Sequence, residues 1–511
     1  MNLADKVGQM LMVGFYGLEA PQYILDWLKE GKVGGIILFA RNVESPQQVA
    51  DLCQSLHEVA KYPILISIDQ EGGAVSRLRD GFSQSPGAMA LSATDDETLA
   101  EQVSQILGNE MSALGINWTY APAVDITYNK DNPTVGVRSF GTDKETVSQF
   151  SSAAVRGFQA GGVAACAKHF PGLGDTAIDT HLALATVRTS VEQVVLNDLL
   201  PYRAAMDDDL ASIMTTHTVF AELDKEYPAT LSPVVIKRLL RNELHFDGVV
   251  TTDCMEMKAI ADNYGSGESA VLAMLAGVDI VLFSHTRAMQ EEAYSAMIAA
   301  AESGRVSLDI IDKANARIAK LKATYPAQTA HIETIRTDES LDLMRSAADK
   351  SLVMLKNEDL IPLEHHNKKV GLIEFASYLD SNAVEFAGLT GLSEALKEEI
   401  PSLEKIIIRV SEKDETILAQ AQSLAESCDI VIVATRNAHL WDNIQALATS
   451  YLNSAEKSVL LALRNPYDAE VLEADVVICS FGDAEPSLEA VVSALLGNIV
   501  PSGKLPVKIA L

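Results

Sequence analysis

The stretch KHFPGLGDTAIDTH, from Lys168 to His181, concentrates side chains that can move protons. Lys168 and His169 stand side by side at the end of a short apolar run. Pro171, Gly172 and Gly174 then permit a tight, mobile loop. Asp179 and His181 follow two positions apart, close enough for the carboxylate to orient the imidazole and stabilise its cationic form. That is an acid/base arrangement, although a solvent loop with incidental charges would read the same way. Four more ionisable groups close or follow apolar runs: Asp69, Asp125, His217 and Asp253. Singly, each is equally well explained as a turn former or a loop hydrogen bond. Five runs ending in this manner imply one mouth built for a polar ligand.

Such a mouth needs strands that converge. Eight Val- and Ile-rich runs fill the first 320 residues or so: GQMLMVGF (8–15), VGGIILF (33–39), PILISID (63–69), NWTYAP (117–122), GVAACAKHF (162–170), ASIMTTH (211–217), DGVVTTD (247–253) and VDIVLFS (278–284). Their continuous apolarity predicts strands buried on both faces, as in parallel sheets. Amphipathic segments such as SPQQVADLCQSLHEVAK and SPVVIKRLLRNELH lie between them. Eight strand–helix units predict a (β/α)8 barrel over residues 1–322, with its chemistry at the carboxyl ends of the strands. A doubly wound open sheet shares this local pattern and is the alternative.

Residues 323–345 carry Pro326 and no strong apolar run, and read as a linker leading into a helix. From 346 to 511 a second series appears: KKVGLIEF (368–375), KIIIRV (405–410), DIVIVAT (429–435), KSVLLAL (457–463) and DVVICSF (475–481). With helices such as ETILAQAQSLAES between them, they predict an α/β sandwich with a mainly parallel sheet. Neither GxxxxGK[ST] nor a GxGxxG turn accompanies the first strand, so no nucleotide motif is present.

Composition narrows the function classes. Among 511 residues, 40 Lys+Arg face 70 Asp+Glu, a formal charge of -30 that repels phosphate backbones and argues against nucleic acid. The best candidate membrane segment, Ala270 to Val278, is interrupted by Asp279, far short of the roughly 20 apolar residues a spanning helix needs. The opening MNLADKVGQM lacks the pattern of a secretory leader. Five scattered cysteines contain no CxxC pair, and H-E-x-x-H is absent, so neither structural zinc nor metalloprotease chemistry is expected. A cytoplasmic setting with no cofactor, no metal and no membrane partner follows.

Several ordered motifs carry a resemblance to glycoside hydrolase family 3, in particular its bacterial β-N-acetylglucosaminidase branch in the two-domain form. IDQEGGAVSRL (68–78) resembles the family's DQEGGRVxR, VRSFG (137–141) its RSFG, and KHFPGLGDTAIDTH its KHFPGHGxxxxDSH. FDGVVTTDCMEM (246–257) resembles the nucleophile segment, while KNEDLIPL (356–363) and PSGKLPV (501–507) resemble segments at the two ends of the second domain. Ala74 and Leu173 stand where the family usually has Arg and His, and Thr180 replaces Ser in DxH.

The resemblance implies an exo-acting, retaining enzyme on a small glycan that ends in N-acetylglucosamine, such as a muropeptide. It makes Asp253 the nucleophile, His181 the acid/base, Asp179 its orienting partner, and Asp69, Arg77, Arg138, Lys168 and His169 the sugar-binding set. Asp125 and His217 are expected to make structural hydrogen bonds. The second domain is expected to pack against the barrel or shield substrate. A phosphorylase is the alternative enzyme, because a neutral His repels phosphate less than a carboxylate does. A non-catalytic glycan-binding protein is the other alternative, and would predict a damaged nucleophile or acid/base. No feature of the sequence bears on oligomeric state.

Overall fold

The computed structural model describes residues 1–176, 184–364, 366–376, 391–409 and 411–510. Eight parallel strands form one sheet: β1 (Leu11–Val13), β2 (Gly35–Leu38), β3 (Leu65–Ile68), β4 (Trp118–Thr119), β5 (Cys166–Phe170), β6 (Ser212–Thr215), β7 (Val249–Cys254) and β8 (Ile280–Phe283). Hydrogen-bonded neighbours follow chain order, and β8 pairs with β1. The sheet closes between β4 and β5, where parallel bridges join Trp118 to Ala164 and Ala123 to Lys168. This is the barrel, not the open sheet, and every run expected to be a strand contributes to it. β4 is shorter than its apolar run because Pro122 has no N–H to give the ladder. Its backbone still follows β5, with Cys166 N donating to Ala121 O at 2.8 Å.

The strands are buried along nearly their whole length, as their unbroken apolarity requires. Inside the barrel, the Trp118 indole N–H donates to Ser212 Oγ at 2.8 Å, so even this large residue leaves no buried donor unmet. Helices ring the outside, starting where the sequence supplies caps. Ser45 accepts from Gln48 N to open α1 (Pro46–Val59). α2 (Arg287–Glu302) follows β8, and Ser307 caps α3 (Leu308–Thr324) by accepting from Ile310 N.

The second domain holds a six-stranded sheet: β9 (Val353–Asn357), β10 (Val370–Ala376), β11 (Glu404–Arg409), β12 (Ile430–Thr435), β13 (Ser458–Ala462) and β14 (Val476–Cys479). Their order is β9-β14-β13-β12-β10-β11, parallel except for the antiparallel β9 at one edge. The sequence reading missed β9, whose outer half is exposed and polar and so carries no continuous apolar run. Helices cover both faces. Leu392, Leu396 and Val491 pack on one side, and Ala421, Leu424 and Ile444 on the other.

Two features join the domains. α4 (Asp338–Ser351) places Met344 and Ala347 in the barrel core and Ala348 in the core of the second domain. A separate apolar cluster unites Ala74, Val75, Met89 and Val137 of the barrel with Val353, Tyr467, Phe481 and Val507 of the second domain. Around it, Thr142 N donates to Pro506 O at 3.1 Å and Lys504 N to Ala93 O at 2.8 Å.

Met344 is 1% exposed at this junction. Met344→Ala is expected to lower stability by about 2–5 kcal/mol. Urea unfolding followed by far-UV circular dichroism and by tryptophan fluorescence should then shift to one common, lower midpoint. A second-domain transition left at the wild-type midpoint would show that α4 does not couple the two cores.

Candidate active site

The mouth at the carboxyl ends of the strands is lined by Asp69, Arg77, Arg138, Lys168, His169 and Asp253. Six side chains singled out from sequence therefore share one cavity. Asp179 and His181 lie outside the described residues.

Asp69 directly follows β3, and the DQEGG turn after it is shaped by its glycines. Gly73 has φ +58°, and a Cβ there would stand 2.7 Å from Gly87 Cα, so only glycine closes this turn. Glu71 within the turn points into the base of the site. Its Oε1 lies 2.6 Å from Lys168 Nζ, and its two oxygens accept from Arg138 Nη2 at 2.7 Å and Nε at 2.9 Å. Lys168 Nζ also donates to Asp69 Oδ1 at 2.7 Å, and Arg77 Nη2 sits 3.8 Å from Asp69 Oδ2. Burial alone would push the Glu71 carboxyl up, but the Arg138 and Lys168 charges outweigh it and hold it well below the usual carboxylate range. The same balance keeps Lys168 charged: burial works against its ammonium, while Asp69 and Glu71 raise its pKa. The result is a fixed array of charged donors and acceptors at the mouth of the barrel.

Sequence reasoning missed Glu71 as a site residue. Its signal was its place inside the DQEGG motif, one residue from the Gln that also serves the turn: Gln70 Oε1 accepts from Arg77 N at 2.8 Å.

Asp125 is fully buried and turned away from the ligand space. It accepts from His169 Nδ1 at 2.7 Å, from His169 N at 3.1 Å and from Leu173 N at 2.7 Å. With Nδ1 donating, a neutral His169 ring presents Nε2 as an acceptor. Leu173, at the position where the resemblance led to expect His, lines the cavity with its side chain and is held through its backbone N–H. Ala74, which stands where the resemblance usually has Arg, is packed in the apolar cluster between domains.

Across the mouth, Asp253 is the penultimate residue of β7, and its Oδ1 accepts from Cys254 N at 2.7 Å. The next carbonyl, Cys254 O, lies 2.9 Å from His217 Nε2, which must donate to it. His217 Nδ1 lies 2.8 Å from the Thr230 hydroxyl. His217 thus holds the backbone that carries Asp253, a positioning role. Burial pushes the Cys254 thiol up to about 12, so it stays protonated beside the carboxylate. Among the described residues no group of His, Cys, Asp and Glu side chains could hold a metal ion. No helix among them is long and apolar enough to cross a membrane.

Family models for the glycosyl hydrolase family 3 N-terminal and C-terminal domains match residues 2–321 and 352–511. Beta-hexosaminidase A of Pseudoalteromonas piscicida is 29% identical over 547 residues, covering 96% of this chain and 91% of that protein. A beta-hexosaminidase of Stenotrophomonas maltophilia strain R551-3 is 38% identical over 289 residues, 55% of this chain and 85% of that protein. The solved structure of a glycoside hydrolase family 3 beta-N-acetylglucosaminidase from Paenibacillus sp. str. FPU-7 superposes with a TM-score of 0.95 at 38% identity, covering 99% of both chains.

Glu71→Gln removes the buried anion shared by Lys168 and Arg138. Breaking such a network is expected to destabilise by about 3–5 kcal/mol. Misplacement of the two cations is expected to reduce kcat/KM on the order of 100-fold. Urea denaturation and steady-state kinetics on one sample check both. An unchanged kcat/KM would remove Glu71 from the site.

Proposed function

The chain belongs to glycoside hydrolase family 3, and from that premise we propose that it is an exo-acting, retaining β-N-acetylglucosaminidase. Its substrates are small glycans ending in β-linked N-acetylglucosamine, muropeptides among them. The observation that carries this reading is one carboxylate, Asp253, facing a charge-ordered set of hydroxyl-binding groups within a single cavity. All five cysteines are free thiols, which supports a reducing, cytoplasmic setting.

In this mechanism Asp69, Arg77, Arg138, Lys168 and His169 hold the terminal sugar and turn its anomeric carbon toward Asp253. Asp253 attacks that carbon, the glycosidic C–O bond breaks, and a glycosyl ester forms. The leaving oxygen takes a proton from His181. The resulting imidazole removes a proton from water, which attacks the anomeric carbon; the C–O bond to Asp253 breaks, the carboxylate is freed, and the configuration is retained overall. Asp179 fixes the His181 ring and stabilises its cation, and an unperturbed pKa of about 6.5 suits both directions of transfer. The second domain backs the sugar-binding loops.

Turnover of an aryl N-acetyl-β-glucosaminide, run beside the glucoside and the N-acetylgalactosaminide, tests the activity. Wild type should prefer the first, and Asp253→Ala should lose about 10⁴-fold or more in kcat. Near-normal turnover by that variant would sink the assignment. Free sugar released in phosphate buffer means hydrolysis, and sugar 1-phosphate would replace this reading with phosphorolysis. His181→Ala should slow glycosyl-enzyme formation more steeply as the leaving group becomes poorer, since an activated aryl oxygen needs little protonation. Equal losses across the leaving-group series would remove His181 as the acid.

A further inference from the structure

The mouth of the barrel is backed on one side by the second domain. The loops after β3 and β4 carry Asp69, Arg77 and Arg138, and behind them stands the second domain. Gly136 lies so close to Asn465 that a Cβ would meet its amide at 2.8 Å, and Val75 and Val137 pack against Phe481 and Val507 or their neighbours in one cluster. Lys168 and His169 fill the end of β5. Asp253 lies opposite, on β7. A sugar whose hydroxyls meet the β3–β5 groups and whose anomeric carbon meets Asp253 leaves the arc above β8, β1 and β2 for its leaving group.

That arc carries a set of rings. Phe39, just past β2, lines the cavity together with Asp253. The Arg41 guanidinium lies 4.1 Å from the Phe39 ring centre and 4.6 Å from that of Tyr16, after β1. Tyr16 meets His285, after β8, edge to face at 6.0 Å. Tyr16 is nevertheless 65% exposed.

An exposed tyrosine on a loose loop would mean little. This loop is pinned at four consecutive or near-consecutive carbonyls. Gln290 of α2 donates to Gly14 O at 2.9 Å, and Arg41 Nε to Phe15 O at 3.0 Å. Asn42 Nδ2 donates to Gly17 O at 2.7 Å, and Gln48 of α1 to Leu18 O at 2.8 Å. Arg41 Nη2 also reaches Ser284 O at 3.0 Å, tying the β1, β2 and β8 loops together. Rings fixed by side chains from the segment after β2 and from two helices form a surface that loses little entropy when something settles on it.

Resting on the glycosidase reading above, we propose that Tyr16, backed by Arg41 and continuous with Phe39, is the subsite for the leaving group, and that it takes a pyranose ring whose apolar C–H face stacks on the tyrosine. A sugar is the occupant that joins such a ring platform to a pocket for a terminal glycoside, because its two faces are apolar while its rim hydrogen-bonds. Specificity for a ring-bearing leaving group therefore resides in the β1, β2 and β8 loops, away from the groups that bind the terminal sugar.

The test compares N,N′-diacetylchitobiose, whose leaving group is a sugar, with N-acetyl-β-glucosaminyl fluoride, whose leaving group has no ring. Tyr16→Ala should lower kcat/KM on the disaccharide about 3- to 10-fold more than on the fluoride. Tyr16→Phe, which keeps the ring and drops the hydroxyl, should restore most of the difference. Equal losses on both substrates, or none on the disaccharide, would overturn the subsite while leaving the glycosidase reading intact. Failure of the wild-type enzyme to turn over the fluoride would overturn both.

Discussion

The geometry of this mouth depends on the ion network among Asp69, Glu71, Arg138 and Lys168. Lys168 is 2% exposed, and Glu71 and Arg138 are 6% exposed each at their side chains. Two cations that deeply withdrawn from water are tolerable only because carboxylates meet them at hydrogen-bonding distance. The four members of the network arrive from three places in the chain: Asp69 and Glu71 from the turn after β3, Arg138 from the loop after β4 and Lys168 from the end of β5. None of the three can shift alone without stranding a buried charge. The network therefore enforces the register of β3, β4 and β5 at the point where the sheet closes, and it presents the same atoms to any ligand before that ligand arrives.

The second domain extends this constraint outward. Ala74 and Val75 follow the DQEGG glycines, and Val137 precedes Arg138; all three enter the apolar cluster shared with the second domain. The chain thus grips the charged turn from two sides, by ion pairing within the mouth and by dry packing behind it. A small residue at position 74 belongs to that second grip. The opposite side of the mouth is arranged on another principle. There the loops bind one another through side chains on backbone carbonyls, and the rings they hold remain at the surface.

Much of the barrel was legible because a parallel strand buried on both faces must be apolar throughout, and five of the eight runs ended in or just before polar groups that now line or support the cavity. Asp69, Lys168, His169 and Asp253 could be found that way. What stayed hidden was whatever depends on partners distant in the chain. β9 is a half-exposed edge strand with one buried residue, so neither periodicity nor apolarity marked it. Glu71 reads as an ordinary surface glutamate until Lys168 and Arg138 close over it. Tyr16, Phe39 and Arg41 are common loop residues without a characteristic spacing, and only the closure of the barrel brings them into stacking distance. The sandwich side of Ala74 was likewise invisible, since its neighbours lie almost 300 to more than 400 residues later.

That separation has a consequence for how the molecule is made. The strands and loops that bear Asp69, Arg77, Arg138 and Lys168 leave the ribosome well before Tyr467, Phe481 and Val507, which cover the back of two of those loops. Until then the nascent barrel carries an uncovered apolar face beside its charged mouth, a surface that invites association with other chains. All eight strands of the barrel precede that cover in the chain, so the face at Ala74, Val75 and Val137 stays bare for the time needed to synthesise the second domain.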